Sequence, residues 1–190
     1  MSPIPPITKW LLIINVAAFF IDELLRLSTG FSFTAWFALW PLGHGFLPWQ
    51  PVTYAFLHGD ILHLLFNMFG LWTFGSELER LWGEKRYMHF YGASVLTAAA
   101  TQLVVTALSG SPYPTVGASG GIYGLLLGFG MMFPNRQIML LIPPIPMKAK
   151  VYVMIFGALE VYMGLRVADG VAHFAHLGGM LGAFLMIRYW

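Results

Sequence analysis

An all-α membrane protein, folded as a bundle of six transmembrane helices, is predicted by three observations. Apolar residues make up 58% of the 190-residue chain and charged residues only 9%, where a soluble domain carries about 25% charge. The apolar residues gather into six stretches near membrane length, which for a helical span is about 20 residues. Lys and Arg collect at alternate ends of those stretches, the pattern of a multi-pass chain.

The first stretch runs from Ile7 to Leu25, with Asp22, Glu23 and Arg26 closing it. Only Lys9 precedes most of it and no small-residue cleavage site follows, so it reads as an anchor helix and not a removed signal peptide. A long aromatic connection, Phe31 to Leu57, carries Trp36, Trp40 and Trp49. Tryptophan at this density suits a membrane–water interface. The second stretch is Ile61 to Leu78, with Asp60 placed to cap its start. The charged segment Glu77 to Arg86 ends it. The third is Tyr87 to Leu108, and a Gly/Ser/Pro turn at Ser109 to Pro114 breaks the chain. The fourth is Ser119 to Phe133, stopped by Pro134-Asn135-Arg136. The fifth is Val151 to Leu165, after the breaker Pro143-Pro144-Ile145-Pro146. The sixth is Val171 to Tyr189. No repeat or low-complexity segment divides the chain, so residues 1–190 read as one domain.

Orientation follows from the cations. With the N-terminus in the cytoplasm, Lys9, Arg80, Lys85, Arg86, Arg136, Lys148, Lys150 and Arg188 fall inside, and Arg26 and Arg166 outside. Both termini are therefore expected in the cytoplasm. The aromatic connection and the turn before Ser119 then face outward.

Composition excludes several functions. The chain has no cysteine, which removes disulfides, thiolate metal sites and thiol nucleophiles. A formal net charge of +2, with no basic patch interleaved with aromatics, gives no footprint for nucleic acid.

Strongly polar groups inside membrane spans are costly and usually functional. His63 and Asn67 stand four apart on the second stretch, hence on one helix face. Gly117-Ala118-Ser119-Gly120 opens the fourth, and His173 and His176 lie in the sixth. A serine with an imidazole and extra hydrogen-bond donors is a set suited to acyl transfer. The Ser119 hydroxyl is too weak an acid to attack a carbonyl alone and needs a base such as neutral imidazole. The developing oxyanion would find donors in His63, Asn67 and the free N–H groups at the helix start, each worth about 3 kcal/mol. Glycines at 120, 124 and 128 on the fourth helix, and at 178 and 182 on the sixth, form small-xxx-small rows. Such rows allow close helix approach and would bring Ser119 to His176. Tyr123, one turn below Ser119, is placed to pack on the imidazole. Asp169 precedes His176 by seven residues, about 10 Å along a helix axis, and Glu160 has no role assigned by spacing. The expectation is a Ser119–His176 dyad.

His63-x-x-x-Asn67, then Gly117-Ala118-Ser119-Gly120, then Ala175-His176-Leu177-Gly178-Gly179 resembles the rhomboid proteases, over almost the whole chain. Trp49-Gln50 is similar to that family's Trp-Arg pair in the first loop, with Gln50 in place of arginine. His58 and Gly75-x-x-x-Glu79 with Gly83 also fit. The resemblance implies a six-helix rhomboid-like bundle with a long interfacial loop between helices 1 and 2. It implies catalysis by Ser119 and His176, an oxyanion site from His63, Asn67 and the serine N–H, and support from Tyr123, Gly117 and Gly120. Its implied partners are transmembrane protein substrates and the lipid bilayer, and its expected place is the bacterial inner membrane. No cofactor or metal is expected: His58 and His63 have no further ligand set nearby in sequence.

Four plainer readings compete. Ser119 alone could be a small residue at a helix contact, and His63 with Asn67 a structural polar pair. A catalytically inactive rhomboid-like protein that only binds membrane helices would be favoured by loss of Ser119 or His176, and both are present. A small transporter would show internal repeats or matched broken helices.

Overall fold

In the computed structural model, residues 3–139, 144–166 and 170–190 are described; Pro143 and Asp169, weighed above, lie outside them. Helix α1 spans Pro6–Thr29, starting at a proline that needs no N–H partner and ending at Gly30 in the left-handed conformation. The aromatic connection carries two short helices, α2 (Thr34–Phe37) and α3 (Gln50–Thr53), followed by a 3-10 turn at Tyr54–Phe56. Helix α4 (Ile61–Gly70) runs through a π-helical segment, Leu71–Gly75, into α5 (Ser76–Trp82). The expected second span is therefore one interrupted helix that continues past Leu78. Asp60 caps it as expected, accepting from the His63 N–H at 2.9 Å.

Helix α6 (Glu84–Ser109) follows, then α7 (Ser119–Met132), α8 (Ala149–Arg166) and α9 (His173–Tyr189). Between α7 and α8 the chain makes an antiparallel pair of short strands, β1 (Gln137–Met139) and β2 (Pro146–Lys148). The sequence reading had only a breaker there, because three-residue strands carry too few side chains to show a period. By length and hydropathy, α6 is the described helix that meets the measure of a membrane span, while α7 is apolar but shorter.

Contacts at the helix ends order the bundle. The N-terminus of α1 is tied to α5: Glu79 accepts from the Ile7 N–H at 2.8 Å, the Thr8 N–H at 2.7 Å and the Thr8 hydroxyl at 2.7 Å. Arg136, beyond α7, pairs with Glu77 of α5. Arg86 at the start of α6 lies over the Trp190 ring at the end of α9. One end of the bundle thus gathers the starts of α1, α6 and α8 and the ends of α5, α7 and α9. Eight of the ten Lys and Arg residues lie on those ends. At the opposite end Leu39 pairs with Thr115 through backbone bonds.

Leu71, Leu78, Tyr87, Phe90 and Leu125 fill the core without exposure, while Trp10, Phe20, Leu24, Phe66 and Met154 stand on the outside. A bundle that is apolar outside as well as inside suits lipid, not water.

Candidate active site

The segment that delivers Ser119 is fixed from both sides. Thr115 pairs with Leu39, and the Gly117 N–H donates to the Tyr54 carbonyl at 3.0 Å. Tyr54 is itself buried, with its hydroxyl donating to the Val95 carbonyl at 3.0 Å. Gly117 has φ +132°, a backbone state closed to most L-residues, and a Cβ there would meet His63 Nε2 at 2.8 Å and Ser119 Oγ at 3.5 Å. Glycine at 117 thus leaves the His63 ring and the serine hydroxyl facing one small space. Ser119 is the first residue of α7, where backbone N–H groups have no helical partner.

His176 sits in the first turn of α9. Its Nε2 lies 2.7 Å from Ser119 Oγ, and its ring stacks on Tyr123 with centroids 4.3 Å apart and planes 6° apart. His173, one turn earlier, is not the ring at the serine; its Nδ1 lies 2.7 Å from Glu160 Oε2.

The glycines act differently from the expected pairing of two rows. Gly179, not Gly178 or Gly182, meets α7: a Cβ on it would fall 2.7 Å from the Gly120 carbonyl carbon. Gly178 and Gly182 instead face Thr101 and Thr97 of α6. Successive glycines on a helix point 100° apart, so the pair Gly178-Gly179 lets α9 approach two helices at once. Gly120 is closely packed too, with the Ala98 Cβ of α6 2.5 Å from where a Cβ would stand.

Asn67 donates to the His63 carbonyl at 2.8 Å, which uses one of its two amide hydrogens. Its Oδ1 is buried with no hydrogen-bond partner among the described residues. His58 lies edge-on to the His63 ring, centroids 5.0 Å apart, and both its ring nitrogens are buried without a hydrogen-bond partner among the described residues. Burial, with a lesser push from His63 and an opposing pull from Asp60, holds its pKa down at about 3.

Sequence reading missed one group. Glu160 of α8 is buried, and its Oε2 lies 2.9 Å from His176 Nδ1 as well as 2.7 Å from His173 Nδ1. Its Oε1 accepts from the Tyr123 hydroxyl. The expectation that no carboxylate stands near His176 is thereby corrected. The available signal was a carboxylate in an apolar span; its partners lie on other helices, where helical spacing cannot reach.

Glu160, His173 and His176 hold their ligand atoms within 4.8 Å of one another. Bonds of about 2.0–2.1 Å would set two ligand atoms of a tetrahedral zinc about 3.3 Å apart. The 2.7 and 2.9 Å separations are hydrogen-bond distances instead.

Gln50, in place of the arginine the resemblance led one to expect, is fully buried in the aromatic connection. Its Oε1 accepts from Trp40 N and Leu47 N, both at 3.1 Å, and its Nε2 donates to the Trp36 and Gly45 carbonyls, both at 3.3 Å. An uncharged amide therefore ties the loop at four points.

A cavity of about 920 Å³ opens beside the site, lined by Phe66, Phe69, Trp72 and Phe74 on the α4–α5 side, Tyr123 and Ile122 of α7, and Tyr152 and Phe156 of α8.

Fold and site together define a helical membrane protein with a half-buried serine against a buried histidine. The family description "Rhomboid domain" matches residues 46–190, and the chain belongs to the rhomboid family. It is 31% identical to the Rhomboid protease GluP of Bacillus subtilis over 72% of this chain and 25% of that protein. It is 31% identical to the Putative rhomboid protease YdcA of the same organism over 73% and 65%. To the Rhomboid protease GlpG of Yersinia pestis it is 29% identical over 97% and 62%. The chain thus spans from about a quarter to just under two thirds of the length of these relatives.

Proposed function

We propose that residues 1–190 form a single rhomboid protease domain that hydrolyses peptide bonds in or near transmembrane segments of other membrane proteins. The observation that carries this reading is the 2.7 Å approach of His176 Nε2 to Ser119 Oγ. As Oγ attacks the scissile carbonyl carbon, its proton passes to Nε2. The oxyanion is met by the Ser119 backbone N–H, His63 and the second Asn67 hydrogen. Collapse breaks the C–N bond, and the imidazolium returns its proton to the leaving amine. A water, deprotonated by the same Nε2, then attacks the acyl carbon; the Ser119 Oγ–C bond breaks, the proton on Nε2 returns to Oγ, and the carboxylic acid product leaves.

In this reading the six long helical stretches span the bilayer, and the cation-rich end, with both termini, faces the cytoplasm. The expected setting is a bacterial inner membrane, and the aromatic cavity between α5 and α8 is the route by which a substrate segment enters. The relatives named as rhomboid proteases support the activity, and the intact serine–histidine pair weighs against the inactive helix-binding alternative.

The test is cleavage of a reporter transmembrane substrate in liposomes. Wild type cleaves, and a fluorophosphonate labels Ser119. Ser119→Ala and His176→Ala stay folded and inserted but inactive. Undiminished cleavage by Ser119→Ala sinks the assignment.

A further inference from the structure

We infer that Glu160 is a positioning residue for the reaction: it completes a Glu160–His176–Ser119 relay, holding His176 in the tautomer that serves as base and pairing with the imidazolium that forms. The inference rests on the proteolytic reading above and adds a member to its site.

The geometry carries three steps. First, a carboxylate offers only acceptors. With Glu160 Oε2 at 2.9 Å from His176 Nδ1, the imidazole places its hydrogen on Nδ1. Nε2 is then left with a lone pair, and Nε2 is the nitrogen facing Ser119 Oγ. A neutral imidazole is a base at only one nitrogen, and Glu160 selects the one that meets the hydroxyl.

Second, proton transfer from Ser119 makes His176 a cation in a water-poor site, where an unpaired charge is costly. Glu160 is already buried there as the counter-charge. The pair gains attraction only as the transition state develops, the condition for acceleration rather than tighter substrate binding. The proton stays on the imidazole until it passes to the leaving amine, and Glu160 takes none.

Third, the carboxylate is itself held. Tyr123 of α7 donates to Oε1, and His173 and His176 of α9 both engage Oε2. Tyr123 also stacks on the His176 ring, so one tyrosine orients the base by its face and the carboxylate by its hydroxyl. Donors from two helices fix a carboxylate on a third, which a purely space-filling residue would not need.

The experiment compares wild type, Glu160→Gln, Glu160→Asp and Ser119→Ala in liposomes. The concentration of competent sites in the serine-containing proteins is set by titrating Ser119 to completion with a fluorophosphonate, so misfolded protein does not count. Expected for Glu160→Gln is a fall in kcat per titrated site of roughly 10²–10⁴, with KM within about twofold. Fluorophosphonate labelling should slow by a similar factor, since that probe needs the base but not the substrate pocket. Glu160→Asp, with its charge retained but withdrawn by one methylene, should recover part of the loss. Wild-type kcat per titrated site in Glu160→Gln, beside an inactive Ser119→Ala, overturns the relay and leaves the protease reading standing. A drop only in the number of titratable sites also overturns it, making Glu160 a structural tie. Cleavage by Ser119→Ala would instead remove the reading on which the relay rests.

Discussion

A side chain on Gly179 would penetrate the peptide of Gly120: its Cβ would stand 2.7 Å from the Gly120 carbonyl carbon and nearer still to the oxygen. Ser119 precedes Gly120 and His176 lies one turn before Gly179, so this contact sets the hydroxyl-to-imidazole distance. Gly179→Ala should force α7 and α9 apart, cost about 1–3 kcal/mol of stability and abolish cleavage. Gly157→Ala is the control, because a Cβ there meets only the flexible tip of Met180 at 3.5 Å. Thermal unfolding in detergent and liposome cleavage measure both; an active Gly179→Ala would show that the spacing has slack.

The oxyanion donors should separate from the base in kinetics. His63→Ala and Asn67→Ala are each expected to lower kcat by roughly one to three decades without total loss, since the Ser119 N–H remains. Loss of melting temperature with unchanged kcat would assign the two side chains a structural role alone.

Much of this was legible in the chain, and the boundary is instructive. The six helical stretches came from apolar length, and Ser119, His63, Asn67 and His176 from polar groups placed where lipid or core would reject them. What sequence spacing could not supply was pairing across helices. Glu160 is sixteen residues from His176 and on another helix, so no helical period links them. The glycine rows were visible, but their partners were not: Gly178 and Gly182 face α6 while Gly179 alone meets α7. The π-helical segment at Leu71–Gly75 leaves no turn signal, because it interrupts a helix without ending it.

Gln50 should matter for stability more than for chemistry. Its amide closes four backbone groups of the aromatic connection, at about 1 kcal/mol net per bond. Gln50→Ala should therefore cost about 2–4 kcal/mol, read by unfolding in detergent. The kcat of the folded fraction should stay within about threefold, because none of those bonds reaches Ser119. A kcat loss beyond tenfold at full stability would tie the loop to the reaction.

His58 should make the fold acid-sensitive. Burial holds its pKa at about 3, below the ordinary value near 6.5. The unfolded chain therefore binds this proton first as pH falls. The contribution is fully present above about pH 6.5 and is lost below it, at up to about 1.4 kcal/mol per pH unit. Unfolding measured at pH 7.5 and 5.5 should show wild type losing up to about 1.4 kcal/mol more than His58→Phe. Equal losses would place the sensitivity elsewhere.

Water must reach the serine from one face of the bilayer. Hydrolysis consumes a water, and a bilayer core holds almost none. Helix α7 has 14 residues, about 21 Å of helix, against a hydrocarbon core of about 30 Å. If its far end reaches the cation-rich face beside Arg136 and Glu77, its first residue must begin below the opposite face. Ser119 would then lie at the floor of a depression walled by His63, Asn67 and His176. Water filling that depression would satisfy the Asn67 oxygen and lower the cost of the polar cluster. A substrate would have to unwind locally there, because a helix shields its own carbonyls. Substrates with Gly or small residues near the outer end of their span should therefore be cleaved fastest. The chain has no cysteine, so Ser119→Cys gives a single thiol. A membrane-impermeant thiol reagent, added to either side of sealed vesicles of known orientation, should label it from the face opposite the cation-rich end. Labelling only from the cation-rich side would refute the outward-open depression, whatever the variant's activity.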